Sequence, residues 1–279
     1  MSLMKFITVF DDEKQKLLYN DILKRYDISA YPSVYFADGK PYIDYLNSDS
    51  VLYYKHRADC DNISGPEIPV KVFRQAIKFA YDDGYSVLLI VCPSKKYCPS
   101  YYKNATTAAK NFYRNKNVDL TTFSIKVIDS KAIAAGHMYF ALQLARLYNN
   151  LHCPSHVVIA DSKNIISKAL FLSASAEKFG FKNGELSAFR LYGNRLLRDI
   201  NISDSSDYVR YDIFANVCAG YIKKAKGKYI VSVGANCTFS ANIIGRIEKQ
   251  LGYPPIATIQ YGIVSSEVLG LETLCVNIV

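Results

Sequence analysis

The fold is decided by residues 85–147, which read YSVLLIVCPSKKYCPSYYKNATTAAKNFYRNKNVDLTTFSIKVIDSKAIAAGHMYFALQLARL. Residues 86–92 form a continuous apolar run, which is typical of a strand buried on both faces of a parallel sheet. The pattern then predicts a helix over 99–115, a strand over 122–128 and a helix over 130–148. Because ligands of open α/β sheets bind outside the carboxyl ends of the strands, we expect a binding cleft at the loops that follow the two strands.

The chain on both sides of this stretch predicts an α/β protein of two domains. Ahead of it we expect a strand at 5–10, a helix at 13–26, a hairpin around Asp38-Gly39 at 33–45, a second helix at 48–57, an irregular loop at 58–69 and a third helix at 70–83. Behind it we expect a strand at 157–160, a helix at 165–179, a pair of strands within 186–200 and a long helix at 204–224. A strand at 229–233, a helix at 240–251 and two strands at 256–261 and 273–278 should follow.

A short polar segment that ends at Pro154 is the predicted domain boundary. Residues 1–152 should form an N-terminal domain with a mostly parallel sheet flanked by helices. Residues 153–279 should form a C-terminal α/β domain with a mixed or antiparallel sheet, since two of its strands pair through a tight turn.

Composition excludes several classes of protein. The chain has 279 residues, half of them apolar, and a formal net charge of +9. No apolar run approaches the ~20 residues that span a bilayer, so we expect no stable membrane insertion. The basic residues are spread along the whole chain, so no nucleic-acid partner is expected. Seven scattered cysteines without a C-x-x-C pair indicate reduced thiols in a cytoplasmic protein.

Five short motifs follow one another in order over about residues 5–150. They are Tyr31-Pro32-Ser33-Val34, Gly39-Lys40-Pro41-Tyr42-Ile43-Asp44, Ser64-Gly65-Pro66, Gly84-Tyr85, and Ile128-Asp129-Ser130-Lys131 with Gly136 beyond it. Their order and spacing resemble the DegV family, bacterial fatty-acid-binding proteins that present acyl chains to a fatty acid kinase, whereas the second half matches only loosely. The resemblance implies a protein without a cofactor or chemistry of its own, which buries an acyl tail in one domain and holds the carboxylate at the cleft between domains.

The resemblance also implies where the head group is held. The family uses a Thr-Ser pair, the serine of a Ser-Gly-Thr turn, an arginine and a histidine. The corresponding positions here are Ile63 and Ser64 followed by Gly65, then Cys98-Pro99-Ser100 with Ser94 upstream, then Glu185, and finally Glu267. The positively charged partners are missing from these positions. A ligand carboxylate beside Glu185 or Glu267 would be repelled or protonated, so we expect a long-chain fatty acid or a related amphiphile whose head group is handled unlike that of typical relatives.

The energetics of such a ligand favour its tail. Each buried methylene contributes about 0.8 kcal/mol, so about 14 of them supply on the order of 11 kcal/mol before association costs. A hydrogen bond to a charged head adds only about 1.5 to 3 kcal/mol. Tail burial should therefore decide whether a lipid binds, and the head contacts should decide which lipid binds.

Two other functions stay open on the residues alone. One is an α/β hydrolase-like enzyme with Ser94 or Ser100 as nucleophile, although the chain has no G-x-S-x-G motif and neither serine has an evident histidine partner. The other is a ligand-free module that docks on a partner protein, with Lys223, Lys224, Lys226 and Lys228 as a basic patch. His137, among apolar neighbours, is expected to be a packed helix residue rather than a base.

Overall fold

A computed structural model describes residues 3–9, 22–44, 46–114, 119, 121–165, 167–175, 177–180, 182, 185–198, 200–202 and 206–279. The helix predicted over 13–26 falls mostly outside the described residues, and its last part, residues 22–25, is helical. The first half of the described chain contains β1 Met4–Val9, β2 Ile28–Tyr31, β3 Val34–Ala37, β4 Lys40–Ile43, α1 Ser50–Asp59, β5 Ile63–Glu67, α2 Val70–Asp82, β6 Val87–Cys92, α3 Pro99–Tyr113, β7 Ser124–Asp129 and α4 Ala135–Asn149. The second half contains α5 Ser155–Asp161, β8 Lys168–Ser173, a 3₁₀ turn Glu177–Phe179, β9 Ser187–Tyr192, β10 Arg195–Leu197, α6 Asp207–Ala225, β11 Tyr229–Val233, α7 Ser240–Leu251, β12 Ala257–Gln260, α8 Ile263–Leu269 and β13 Thr273–Ile278.

The first half builds the predicted parallel sheet. Its strand order is β2-β1-β6-β7 and all three pairings are parallel. Every residue of β6 is buried, as its continuous apolar run predicts. Helices α2 and α3 pack on one face of this sheet and α4 on the other.

The second half builds a six-stranded mixed sheet in the order β10-β9-β8-β13-β11-β12. All neighbours are antiparallel except β11 and β12, which are parallel. Helices α6 and α7 cover one face. The other face joins the apolar cluster that also contains α2 and α3, so the two sheets share a continuous core.

These two sheets confirm the predicted fold class, a mixed α/β protein with a parallel sheet in its N-terminal part and a mixed sheet in its C-terminal part. The boundary between 152 and 153 stays a prediction. Among the described residues, no helix is long and apolar enough to cross a membrane.

A small antiparallel sheet, β4-β3-β5, stands beside the parallel one. Its β3–β4 hairpin turns at Asp38-Gly39, which confirms the prediction from that dipeptide. The prediction of an irregular loop over 58–69 is wrong, because this segment contains β5. Gly65 and Pro66 made this segment look irregular, but β5 is an edge strand, where proline is tolerated.

Two further predictions in the second half are wrong. Residues 157–160 lie in helix α5 instead of a strand. The helix begins directly after Pro154, but its β-branched residues are typical of a strand and so suggested one in the sequence. Residues 165–179 contain strand β8 instead of a helix. Five of its six residues are buried on both faces, and such a run lacks the alternation that distinguishes a strand from a helix.

Candidate functional site

The loops after β6 and β7 meet the six-stranded sheet, at the edge where the cleft was predicted. The backbone N–H of Ser94 donates to Ala132 O (2.8 Å), and its hydroxyl donates to Asn194 Oδ1 in the β9–β10 turn (2.5 Å). Lys96 Nζ donates to the carbonyl oxygen of the same asparagine (3.1 Å). A cavity of about 10 Å³ here, large enough for one water molecule, is lined by Ser94, Lys131 and Phe171 among others. Ser94 thus fastens the two halves of the chain together.

A second junction brings together four of the predicted site residues. Ile63, Ser64 and Gly65 lie on β5, where Ser64 and Gly65 are exposed. Ser100, in the first turn of α3, places its hydroxyl 3.5 Å from Pro66 O. Asn104 on the same helix donates to Glu67 Oε2 (2.9 Å) and so ties α3 to β5. The predicted Thr-Ser position and the predicted turn position are therefore adjacent.

Gly65 is required by the shape of this strand. Its φ of +98° lies in the region that side-chain-bearing residues avoid. A Cβ at this position would lie 2.8 Å from Val34 O and 2.9 Å from Tyr35 Cα. Glycine lets β5 pass close to β3.

Glu267 lies on α8, which packs against β5 and α1. It is the one residue of this helix that is not buried. Tyr53 donates its hydroxyl to Glu267 Oε2 (2.5 Å), and Arg57 Nη1 donates to the same oxygen (2.6 Å). Lys178 Nζ pairs with the other carboxylate oxygen. We call Tyr53, Arg57, Lys178 and Glu267 the Glu267 cluster.

The Glu267 cluster contains two cations, Arg57 and Lys178, beside a position where the sequence predicted no positive charge. Sequence reasoning missed Arg57 and Lys178 because they lie on α1 and on the 3₁₀ turn, outside the family's motif positions. A partial signal was present in the sequence. Tyr53 and Arg57 are four residues apart on a predicted helix, a spacing that places both side chains on one face.

Burial and the charge of Glu267 shift the pKa values of the groups around this carboxylate. Tyr53 is 2 % exposed, and its pKa is raised far above the ordinary value. The larger cause is burial, and the next is the hydrogen bond from its hydroxyl to Glu267. Burial and the charge of Glu267 likewise raise the pKa of Tyr54 to about 12. Burial opposes the charge of Arg57, but Glu267 and the two tyrosines outweigh it and raise the pKa of Arg57. Both phenols therefore act as neutral donors, and Arg57 stays cationic.

The structure places Glu185 differently. Its side chain is 65 % exposed and pairs with Lys182 at 3.2 Å, three residues earlier. An ion pair this exposed contributes little to stability because water and salt screen it. The assignment of Glu185 to the head-group site stays a prediction.

His137 is a packed helix histidine, as expected from its neighbours. It is 2 % exposed, and its ring nitrogens bond to Thr8 Oγ1 (2.9 Å) and Ser130 Oγ (3.1 Å). Burial lowers its pKa to about 3. These bonds connect α4 to the carboxyl ends of β1 and β7 and so hold the loops of the cleft in place.

The geometry of the two serines does not resemble that of a nucleophile. Ser94 donates to an amide oxygen and Ser100 approaches a carbonyl oxygen, whereas an activated serine bonds to the nitrogen of a base. Among the described residues, no group of histidine, cysteine and acidic side chains could hold a metal ion.

Apolar material lies on both faces of the six-stranded sheet. Phe189 stacks on Phe171 and packs at a tilt against Phe179, with ring centroids 4.8 Å apart in each case. Tyr97 from the first half contacts Phe179 at 4.9 Å. On the opposite face, a groove of about 360 Å³ runs beside α6. Its lining residues are Ile200, Val217, Gly220, Tyr221 and Lys224.

Comparisons with known proteins agree with this architecture. A stearic-acid-binding protein from Eubacterium ventriosum superposes with a TM-score of 0.76 at 14 % identity, over 100 % of this chain and 98 % of the other. A DegV family protein from Thermus thermophilus, described by its fatty acid binding, gives 0.76 at 14 % identity over 100 % and 99 %. DegV from Bacillus subtilis, a fatty acid binding protein, gives 0.73 at 13 % identity over 99 % of both chains. At these identities the superpositions show a shared fold.

The sequence comparison supplies the family. No curated protein matches the chain. Residues 16–172, more than half of the chain, match the family described as "uncharacterised protein, DegV family". The chain therefore belongs to the DegV family.

Proposed function

We propose that this protein binds a long-chain fatty acid or a related amphiphile and presents its head group to a fatty acid kinase. The observation that carries the proposal is the junction where β5, the first turn of α3 and α8 meet, in a chain of the DegV family. At this junction the Ser100 hydroxyl lies 3.5 Å from Pro66 O on β5, and α8, which carries Glu267, packs against the same strand beside a large apolar core. The fatty acids named for the superposed proteins support the same ligand class.

The head group of the ligand would lie at this junction. Hydroxyl groups and cations are the donors that a carboxylate accepts from. Ser64 supplies an exposed hydroxyl, and Arg57 and Lys178 supply positive charge around Glu267. Because Ser64 and Gly65 are exposed, a second protein could reach a head group held here, as presentation to a kinase requires.

From the junction the tail would pass the end of the six-stranded sheet at Ser173 and Thr273, next to α8, and lie in the apolar layer between that sheet and helices α6 and α7. This layer contains small buried side chains, among them Ala188, Ala215 and Cys218. An open groove of about 360 Å³ beside α6 adjoins this layer. Burying a long tail there would supply most of the affinity.

The proposal is tested by extracting the protein, purified from a bacterial host, with organic solvent and identifying the extract by mass spectrometry. We expect long-chain acyl species in near-stoichiometric amounts, and uptake of added fatty acid by the delipidated protein. The loaded protein, mixed with a fatty acid kinase and ATP, should yield acyl phosphate.

An unrelated protein purified in the same way is the control for lipid carried over from the host. The absence of both acyl species and uptake would refute the binding function. Binding without formation of acyl phosphate would refute presentation to the kinase and leave the binding function intact.

A further inference from the structure

The Glu267 cluster has the geometry of a carboxylate receptor that is already occupied by a carboxylate of the chain itself. A phenol hydroxyl and a guanidinium converge on one oxygen at 2.5 and 2.6 Å, and an ammonium group pairs with the other oxygen. Charge-assisted bonds of this kind are the strong ones in proteins. The carboxylate of a fatty acid carries the same two oxygens and would be held by the same three donors.

The position of this receptor coincides with the proposed head-group site. Its donors come from α1 and the 3₁₀ turn, and α8 brings Glu267 to them while packing against β5. The receptor is open to solutes, because the side chains of Arg57 and Lys178 are 41 % and 42 % exposed and that of Glu267 is 22 % exposed. An anion from solution can therefore compete for Arg57 and Lys178.

Charge decides which head groups can enter. Two cations surround Glu267, and the charge of Glu177 also reaches this region, since it raises the pKa of Tyr54. A second ionised carboxylate beside Glu267 would be repelled at a separation of about 4–6 Å. An ionised head must therefore displace Glu267, whereas an uncharged head can bind beside it.

From these observations we infer that Glu267 is a tethered carboxylate which competes with the ligand's head group for Tyr53, Arg57 and Lys178. Glu267 is thus a specificity-determining residue that favours uncharged amphiphiles over ionised fatty acids. This inference rests on the proposed function and names the head-group class that the same site selects.

The test compares dodecanoate with dodecanol at about pH 8, where a free carboxylic acid is ionised. Kd is measured for both ligands with the parent protein, Glu267→Gln and Arg57→Gln. In Glu267→Gln the cations become available, so the affinity for dodecanoate should rise about 5–10-fold relative to dodecanol. In Arg57→Gln the same ratio should shift in the opposite direction, because a receptor cation is lost.

The ratio of the two affinities is measured on one protein sample, so an unfolded fraction cancels from it. Asp82→Asn is the matched control, since it also removes one carboxylate from an ion pair, the one with Lys78 on α2. It should leave the ratio unchanged. An unchanged ratio in Glu267→Gln would overturn the inference while the binding function stands. Failure of the parent protein and both variants to bind either ligand would overturn the proposed function and, with it, this inference.

Discussion

Replacing Phe189 with alanine should lower the free energy of unfolding by about 3–5 kcal/mol, the largest effect we expect from a single substitution. Phe189 is fully buried on β9, stacks on Phe171 and packs at a tilt against Phe179. Removing its ring takes away apolar burial and both aromatic contacts, and it leaves a cavity that close-packed neighbours fill only partly. Urea denaturation followed by circular dichroism measures the change.

Phe79→Ala is the matched control for this substitution. Phe79 lies on α2 and is 63 % exposed, so the same change should alter the free energy of unfolding by no more than about 0.5 kcal/mol. Equal losses in the two variants would contradict the packing described for the six-stranded sheet.

The stability of the protein should fall as pH drops below about 6.5, and His137 should cause much of the loss. Burial lowers the pKa of His137 to about 3 in the folded protein, whereas an unfolded histidine titrates near 6.5. Between these values the unfolded chain binds a proton that the folded chain excludes. The stabilisation is therefore complete above about pH 6.5 and declines by about 1.4 kcal/mol for each pH unit below it.

The measurement is the free energy of unfolding between about pH 7 and pH 4.5, over which His137 should account for roughly 2–3 kcal/mol. His137→Gln should lose stability at neutral pH, because the bonds to Thr8 and Ser130 change. Below neutral pH, its free energy of unfolding should fall less steeply with decreasing pH than that of the parent. His156→Gln, which replaces an exposed imidazole, should keep the parent's slope. An identical slope in His137→Gln and the parent would show that His137 is not the group responsible.

The sequence predicted those elements whose signal is local. The buried run of β6, the turn at Asp38-Gly39 and the amphipathic helix α2 each carry their pattern within a few residues. Strand β8 was predicted wrongly because burial on both faces removes the periodicity that separates helix from strand. Helix α5 was predicted wrongly because its β-branched residues are typical of a strand. Strand β5 was missed because its glycine and proline are tolerated only at the edge of a sheet.

Helix α4 shows why some boundaries cannot be derived locally. The sequence predicts its start at residue 130, but it begins at Ala135, since Lys131 and Ala134 adopt positive φ angles of 54° and 52°. Its first N–H groups donate to Ser265 Oγ (2.9 Å) and Ser232 Oγ (3.2 Å). Both partners lie about a hundred residues further along the chain, where only tertiary structure can bring them to the helix.

The residues of the candidate site also differ in whether the sequence alone could reveal them. Motif order predicts head-group positions at Ser64, Ser100 and Glu267. The structure shows that α3 and α8 both contact β5, while the assignment of these residues to a ligand stays a prediction. The positive charge came from Arg57 and Lys178, which no motif marks. Their contribution depends on α1 and the 3₁₀ turn reaching α8, and no spacing in the sequence encodes that contact.

We expect burial of hydrocarbon, rather than charge pairing at the junction, to supply most of the affinity for the ligand. The most direct test is the Kd of the delipidated protein for octanoate, decanoate, dodecanoate and tetradecanoate. At about 0.8 kcal/mol per buried methylene, Kd should fall roughly fourfold for each methylene added. A Kd that stays constant along the series would contradict the account.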